Sequence, residues 1–286
     1  IQLSAGSAGL NSVVVKSGLD ASKIYRIELR IRGVHEEDDK WQYGCGVNIE
    51  GFHGDLPTAR IEPWVDARPK MLWIGDSITE GIVERGDAAG SQPLMSGGDQ
   101  NWCALISNRY GLQDVRNGFG QSGIGKAGGS GKIPMYVDTS LADPFSKSNL
   151  FHYQNGRLID WEAQNIKFAA INLGTNDYGP LSLADFKARY KLLVLEMLRR
   201  MPSLVKIYVM RPFLGYYAAE IEAIATELGD PRVVYVDTTG WLTNPADTDG
   251  AEEGVVGAHP YHSGSIAIAN AWESEVGNPL MQAAYA

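Results

Sequence analysis

The residues best suited to chemistry are a serine, an asparagine and a histidine far apart in the chain, each in a short glycine-containing block. Ser77 ends the run Met71-Leu72-Trp73-Ile74-Gly75-Asp76-Ser77, and Asn176 lies in Gly174-Thr175-Asn176-Asp177. His259 opens His259-Pro260-Tyr261-His262-Ser263-Gly264. A fourth block, Asn117-Gly118-Phe119-Gly120-Gln121-Ser122-Gly123-Ile124-Gly125, stands between the serine and the asparagine. Such a set suits acyl transfer. A serine hydroxyl attacks a carbonyl, an imidazole takes its proton, and pre-aimed donors stabilise the oxyanion. The backbone N–H of Gly123 and the side-chain amide of Asn176 are suitable donors, and the N–H of Ser77 makes a third. Taken alone, Ser77 reads more readily as a helix N-cap, which strand-to-helix turns favour. The other blocks, in fitting order, shift that balance.

Positioning the blocks falls to the alternating elements from Lys70 onward. Strand-like runs at 70–75, 112–117, 167–173, 204–210 and 232–237 alternate with helical stretches, the pattern of βαβ units around a parallel sheet. Each block falls at or beyond the carboxyl end of a strand, the edge where open α/β sheets bind ligands. Ser77 also stands at the positive end of whatever helix follows. The clearest helix is predicted from Ser182 to Met201. Ser182 caps it with Asp185 in the capping-box position, and Phe186, Tyr190, Leu193, Val194 and Met197 form its apolar stripe. Further helices are predicted over 100–109, 216–228 and 264–274. The glycine-rich connection 118–165 exceeds ordinary loop length several-fold, so it should carry function or short helices of its own.

Residues 1–66 read as a small antiparallel β unit ahead of a larger domain at 67–286. Its strand candidates are 12–16, 25–32 and 45–50, separated by turn-rich pieces such as Glu36-Glu37-Asp38-Asp39. The unit is too small to hold a core unless it packs on its neighbour. The segment Pro63-Trp64-Val65-Asp66-Ala67-Arg68-Pro69 is the joint, since two prolines discourage both helix and ladder.

With the four blocks in this order over about 200 residues, the chain resembles the SGNH (GDSL-like) hydrolases. The matching residues are Gly-Asp-Ser around Ser77, Ser-Gly at 122–123, Gly-Thr-Asn-Asp at 174–177, and His-Pro with its following glycine at 259–264. The resemblance implies a three-layer α/β/α flavodoxin-like fold. It also implies Ser77 as nucleophile, His259 as base, and Gly123 and Asn176 as oxyanion donors. The leading β unit, Ser-Gly-Ile-Gly at 122–125 and Ile-Asn-Leu-Gly-Thr-Asn-Asp at 171–177 look like carbohydrate esterase family 2. That group carries a β-sandwich before its SGNH domain and removes acetyl groups from plant polysaccharides.

The chain departs from the family pattern at one point. The Asp usually found three residues before the catalytic histidine is replaced by Val256, and an Asp-Gly pair stands earlier, at Asp249-Gly250. Asp249 ranks first as the acid that orients His259. A backbone carbonyl ranks second, then Asp247, Glu252 or Glu253.

Composition narrows the remaining classes. A 44% apolar and 21% charged chain is an ordinary globule. No apolar stretch approaches the ~20 residues that span a bilayer. A net charge of −9 without a basic block argues against nucleic acid and anionic membranes as partners. The chain opens on Ile1 without a charged and then apolar leader, as after removal of a signal peptide or trimming; location stays open, with secretion favoured. Cys45 and Cys103 read as buried free thiols. No cofactor or metal is expected. Gly118-x-Gly120-x-x-Gly123 matches a dinucleotide fingerprint, but the glycines and Pro134 that follow cannot open the required helix. Gly131-Lys132 lacks the rest of a phosphate loop. His259 and His262 lack a supporting carboxylate spacing for a metal, and His35, His53 and His152 read as surface or loop residues. Asp76 and Asp177 read as turn residues bonding nearby N–H groups. The expectation is a metal-independent serine esterase acting through an acyl-enzyme on a small-molecule or polysaccharide ester, with O-acetylated carbohydrate first. A lipid or general short-chain esterase and a glycan-binding module with a silent site are the alternatives.

Overall fold

The computed structural model describes residues 16–20, 22–27, 33, 35–37, 40–41, 60, 62, 66–86, 92–153, 155–249 and 257–277. The strands expected at 12–16, 25–32 and 45–50 fall almost wholly outside these residues, as do Cys45, His53, Glu252 and Glu253. Within them the chain runs β1 (Lys70–Gly75), α1 (Ser77–Glu80), α2 (Gln92–Met95), α3 (Trp102–Arg109) and β2 (Gln113–Gly118). It continues with α4 (Trp161–Gln164), β3 (Ile166–Asn172), α5 (Leu183–Arg200), β4 (Lys206–Met210), α6 (Ala218–Leu228), β5 (Val233–Val236) and α7 (His262–Glu275).

The five strands form one parallel sheet in the order β2-β1-β3-β4-β5. This is the flavodoxin-like order, with its switch point between β1 and β3. Strands covered on both faces are apolar almost throughout, and β1 illustrates it. Leu72 and Ile74 pack on one side with Phe186, Tyr190 and Leu193 of α5 and Ile221 and Ile224 of α6. Met71 and Trp73 pack on the other with Trp102 and Ile106 of α3 and Ile268 and Trp272 of α7. Three indoles lock that second layer: Trp73 meets Trp102 and Trp272 edge-on, with ring centroids 5.1 and 5.4 Å apart. Cys103 is a buried free thiol in the same layer. The architecture is therefore the expected three-layer α/β/α fold.

Helix α5 forms as its sequence dictates. Asp185 N–H donates to Ser182 Oγ at 3.1 Å and the hydroxyl donates back to Asp185 Oδ2 at 2.7 Å. The five predicted stripe residues are all buried. The long connection 118–165 is a packed layer rather than a free loop. It holds α4 and a short 3₁₀ turn at Gly129–Gly131, and it buries Ile124, Tyr136, Val137, Leu150 and Phe151 against the sheet. Its backbone is satisfied by turns and by side chains such as Asn149, whose Nδ2 donates to Pro134 O at 2.7 Å, as buried backbone requires.

Candidate active site

Ser77 follows the end of β1 at the switch point and begins α1. The turn works because two glycines keep the strand ends bare. A Cβ on Gly75 would lie 2.0 Å from Thr79 Oγ1, and one on Gly118 of the paired β2 would lie 2.9 Å from Thr79 Cγ2. Asp76 caps α1 through Oδ1, which accepts from Ile78 N–H at 3.0 Å. Its carboxyl is fully buried. Burial, with Asp177 adding to it, pushes the pKa to about 7 against the opposing effects of the Ile78 N–H and His259.

His259 meets Ser77 across 182 residues of sequence, with Nε2 2.7 Å from Ser77 Oγ. On its other side Nδ1 lies 2.7 Å from Asp249 Oδ2. With Nδ1 protonated and donating to Asp249, Nε2 is left to accept from the serine hydroxyl. Asp249 reaches this place by strand pairing. Thr248 and Pro260 form an antiparallel bridge, Asp249 N–H donates to His259 O at 2.8 Å, and His259 N–H donates to Asp249 Oδ1 at 2.7 Å. The pairing needs a residue without a side chain at 257, since a Cβ there would fall 1.5 Å from Asp249 O. Burial works against the His259 imidazolium, but the hydrogen bond and charge of Asp249, with Asp76 and Glu36 behind them, raise its pKa overall. Asp249 moves the opposite way: burial opposes its charge and His259 more than compensates. Of the carboxylates ranked for this position, Asp249 contacts Nδ1, while Asp247 meets this loop through its backbone carbonyl, which accepts from Tyr261 N–H at 2.7 Å.

The expected oxyanion donors are near, but both are engaged. Asn176 Nδ2 donates to Ser122 O at 3.1 Å and to Asp76 Oδ2 at 3.3 Å. Gly123 N–H donates to Lys126 O at 3.0 Å, closing a turn. Catalytic hydrogen bonds in such sites commonly exchange or tighten only with substrate in place. Asp177 differs from its reading as a local turn residue. It accepts from Ile124 and Gly125 N–H at 2.8 and 3.0 Å, so it braces the Asn117–Gly125 block from more than fifty residues away. Gly123 is needed for this approach, because a Cβ there would meet Asp177 Oδ1 at 2.4 Å.

Several contributors were invisible in the sequence. Lys40 forms an ion pair with Glu80 of α1, whose other oxygen accepts from Gly120 N–H at 2.7 Å. The N-terminal segment also touches the Asn117–Gly125 block directly, where Gln121 Nε2 donates to Glu37 Oε1 at 3.4 Å. Beside these contacts a cleft of about 460 Å³ opens at the end of β2, lined by Trp41, Asn117, Phe119, Asn149, His152 and Tyr153 among others. Asn117 Oδ1, Asn149 Oδ1 and His152 Nδ1 are buried beside it without a hydrogen-bond partner among the described residues. His152, read as a surface or loop histidine, lies in the 118–165 connection and is 9% exposed. Among the described residues no His, Cys, Asp or Glu cluster has metal-site geometry, and no helix is long and apolar enough to cross a membrane.

The family model described as GDSL-like lipase/acylhydrolase matches residues 71–272. No curated protein matches the sequence. Similar solved structures include a family two carbohydrate esterase from Clostridium thermocellum in complex with cellohexaose, at 20% identity and TM-score 0.59, covering 77% of this chain and 67% of that one. Another is a family two carbohydrate esterase from Cellvibrio japonicus, at 18% identity and TM-score 0.58, covering 78% and 63%. A third is an acetyl xylan esterase from the rumen bacterium Butyrivibrio proteoclasticus, at 15% identity and TM-score 0.54, covering 77% and 66%. The chain thus spans about two thirds of the length of these structures. At such identities the likeness speaks for the fold.

Proposed function

The chain belongs to the GDSL-like lipase/acylhydrolase family and is an ester hydrolase, and from that premise we propose that it removes short acyl groups, acetyl first, from a carbohydrate through a serine acyl-enzyme. The observation that carries this reading is the continuous relay Ser77 Oγ–His259 Nε2 and His259 Nδ1–Asp249 Oδ2, each step 2.7 Å.

In the first half-reaction Ser77 Oγ attacks the ester carbonyl while Nε2 takes its proton. Asp249 stabilises the imidazolium that results. The carbonyl oxygen becomes an oxyanion, held by the Ser77 N–H, which opens a helix and has no intrahelical acceptor, and by the Asn176 amide. Gly123 joins as donor when its N–H turns from Lys126. The tetrahedral adduct collapses, the sugar alkoxide leaves with the proton from Nε2, and the acyl group stays on Ser77. Water then attacks, gives its proton to Nε2, and the second adduct returns Ser77 with release of the carboxylic acid.

The carbohydrate half of the reading draws on the cleft at the end of β2. Its lining rings, Trp41, Phe119 and Tyr153, offer flat apolar faces of the kind a sugar ring stacks on. Similarity to carbohydrate esterases supports the same choice over a lipid substrate.

Ser77→Ala is the first test. It should abolish turnover of an aryl acetate with an unchanged melting temperature, since loss of the nucleophile removes several orders of magnitude in rate. Retention of more than about a tenth of the activity removes Ser77 as nucleophile. Acetate release from acetylated xylan or glucomannan, set against hydrolysis of longer acyl chains, decides the substrate. Preference for long chains favours the general esterase, and sugar binding with no turnover favours a silent binding site.

A further inference from the structure

The serine and the histidine come from opposite ends of the domain, and a 2.7 Å contact between them needs more than the two side chains to hold it. The turn after α1 carries Glu84, seven residues beyond Ser77, and its side chain is fully buried. Its two oxygens reach the first turn of α7, which begins three residues after His259. Ser265 Oγ donates to Glu84 Oε2 at 2.7 Å, and His262 Nδ1 lies 3.1 Å from Glu84 Oε1. The same nitrogen is 3.2 Å from Gln100 O, which can only accept. His262 Nδ1 therefore carries a proton and is held between two acceptors.

The backbone bends to allow this. Val83, immediately before Glu84, has φ +52°, a conformation that a β-branched residue adopts only under constraint. Gly97 leaves room for the side chain, since a Cβ there would meet Glu84 Cγ at 3.0 Å. On the far side, the His259 segment is fixed to residues 247–249 by the bridge at Thr248 and Pro260. Glu84 supplies the opposite anchor.

We propose that Glu84 is a positioning residue: through His262 and Ser265 it ties the nucleophile's turn to the base's helix and so sets the approach of His259 to Ser77, an assignment that rests on the esterase reading above. Reacting groups displaced by about 1 Å can lose roughly 10²-fold in rate, so the tie is expected to act on kcat and not on ground-state binding.

The test compares Glu84→Ala with Glu84→Gln on an aryl acetate, together with the rate at which an aryl phosphonate labels Ser77. Burial pushes the Glu84 carboxyl up to about 9, despite its bond to Ser265 and the nearby Arg116. A neutral amide is therefore the conservative replacement near pH 7. Glu84→Ala should lower kcat and the labelling rate together by about 10- to 100-fold, with KM within about twofold. Glu84→Gln should regain most of the loss. The proposal is overturned if folded Glu84→Ala stays within about threefold of wild type, if its loss lies in KM with labelling unchanged, or if Glu84→Gln rescues nothing. Should Glu84→Ala fail to fold, Ser265→Ala removes one arm alone: a several-fold loss of kcat supports the tie, and an unchanged kcat overturns it. Wild-type protein that neither turns over an ester nor takes the label defeats the esterase reading itself, and this assignment with it.

Discussion

The Asp249→Asn substitution probes the site hardest, because the geometry dictates how the new amide must sit. Asp249 meets His259 twice, Oδ1 accepting from the backbone N–H and Oδ2 facing Nδ1, each at 2.7 Å. An amide in that place has one acceptor and one donor group. The backbone N–H can only donate, so it claims the amide oxygen and leaves the NH₂ facing Nδ1. That nitrogen must then accept, its proton moves to Nε2, and Nε2 confronts the Ser77 hydroxyl unable to take its proton. The wrong tautomer lowers kcat by about 10⁴-fold, equivalent to about 5.5 kcal/mol of transition-state stabilisation. A second reading comes from pH. Burial opposes the imidazolium, yet Asp249 foremost and then Asp76 and Glu36 raise the His259 pKa above its ordinary value. On the proposed mechanism neutral His259 is the base, so the wild-type acidic limb should lie above the ordinary histidine value, and removing the Asp249 charge should move it lower. The assay is kcat/KM for an aryl acetate across the range of about pH 5–9. A variant within a few-fold of wild type, with its acidic limb unmoved, refutes the carboxylate as orienter and leaves a backbone carbonyl in that role.

Asn176→Ala should lower kcat by roughly 10²–10³ with a smaller change in KM, as for other oxyanion donors; a variant altered only in KM assigns the amide to substrate recognition. Gly257→Ala forces a Cβ onto Asp249 O, so it should reproduce most of the Asp249→Asn rate loss, and wild-type kinetics in this variant would contradict the strand pairing. Lys40→Met strips the mostly buried Glu80 of its cation, and breaking such a pair costs up to about 3 kcal/mol, the low end for a fully buried one. Burial already raises the Glu80 pKa despite Lys40, and without the cation it rises further. The deficit relative to wild type is therefore small while the carboxyl is protonated in both folded proteins and grows as pH rises through the wild-type folded pKa, which lies above the ordinary carboxylate value. Urea melts at about pH 5 and pH 8 should differ in that order, and equal deficits would count against a buried charge.

Much of the fold was legible because its signals are local. Apolar runs of strand length, the capping box at Ser182 and Asp185, and the three-and-four spacing of Phe186, Tyr190, Leu193, Val194 and Met197 depend on residues a few positions apart. The meeting of Ser77 and His259 was legible as well, since each stands in a short block just past a strand or before a helix, and the parallel order of the sheet brings those blocks to one edge. Tertiary structure decided the rest. Asp249 is ten residues from His259 in sequence and touches it only through an antiparallel bridge that Gly257 permits. Asp177 looked like a turn residue and proved to brace a block more than fifty residues away. Glu84 and the Lys40–Glu80 pair carried no motif, because a buried carboxylate is identified by what surrounds it. Periodicity and spacing report neighbours along one element, whereas these contacts are set by which elements the folded sheet brings face to face.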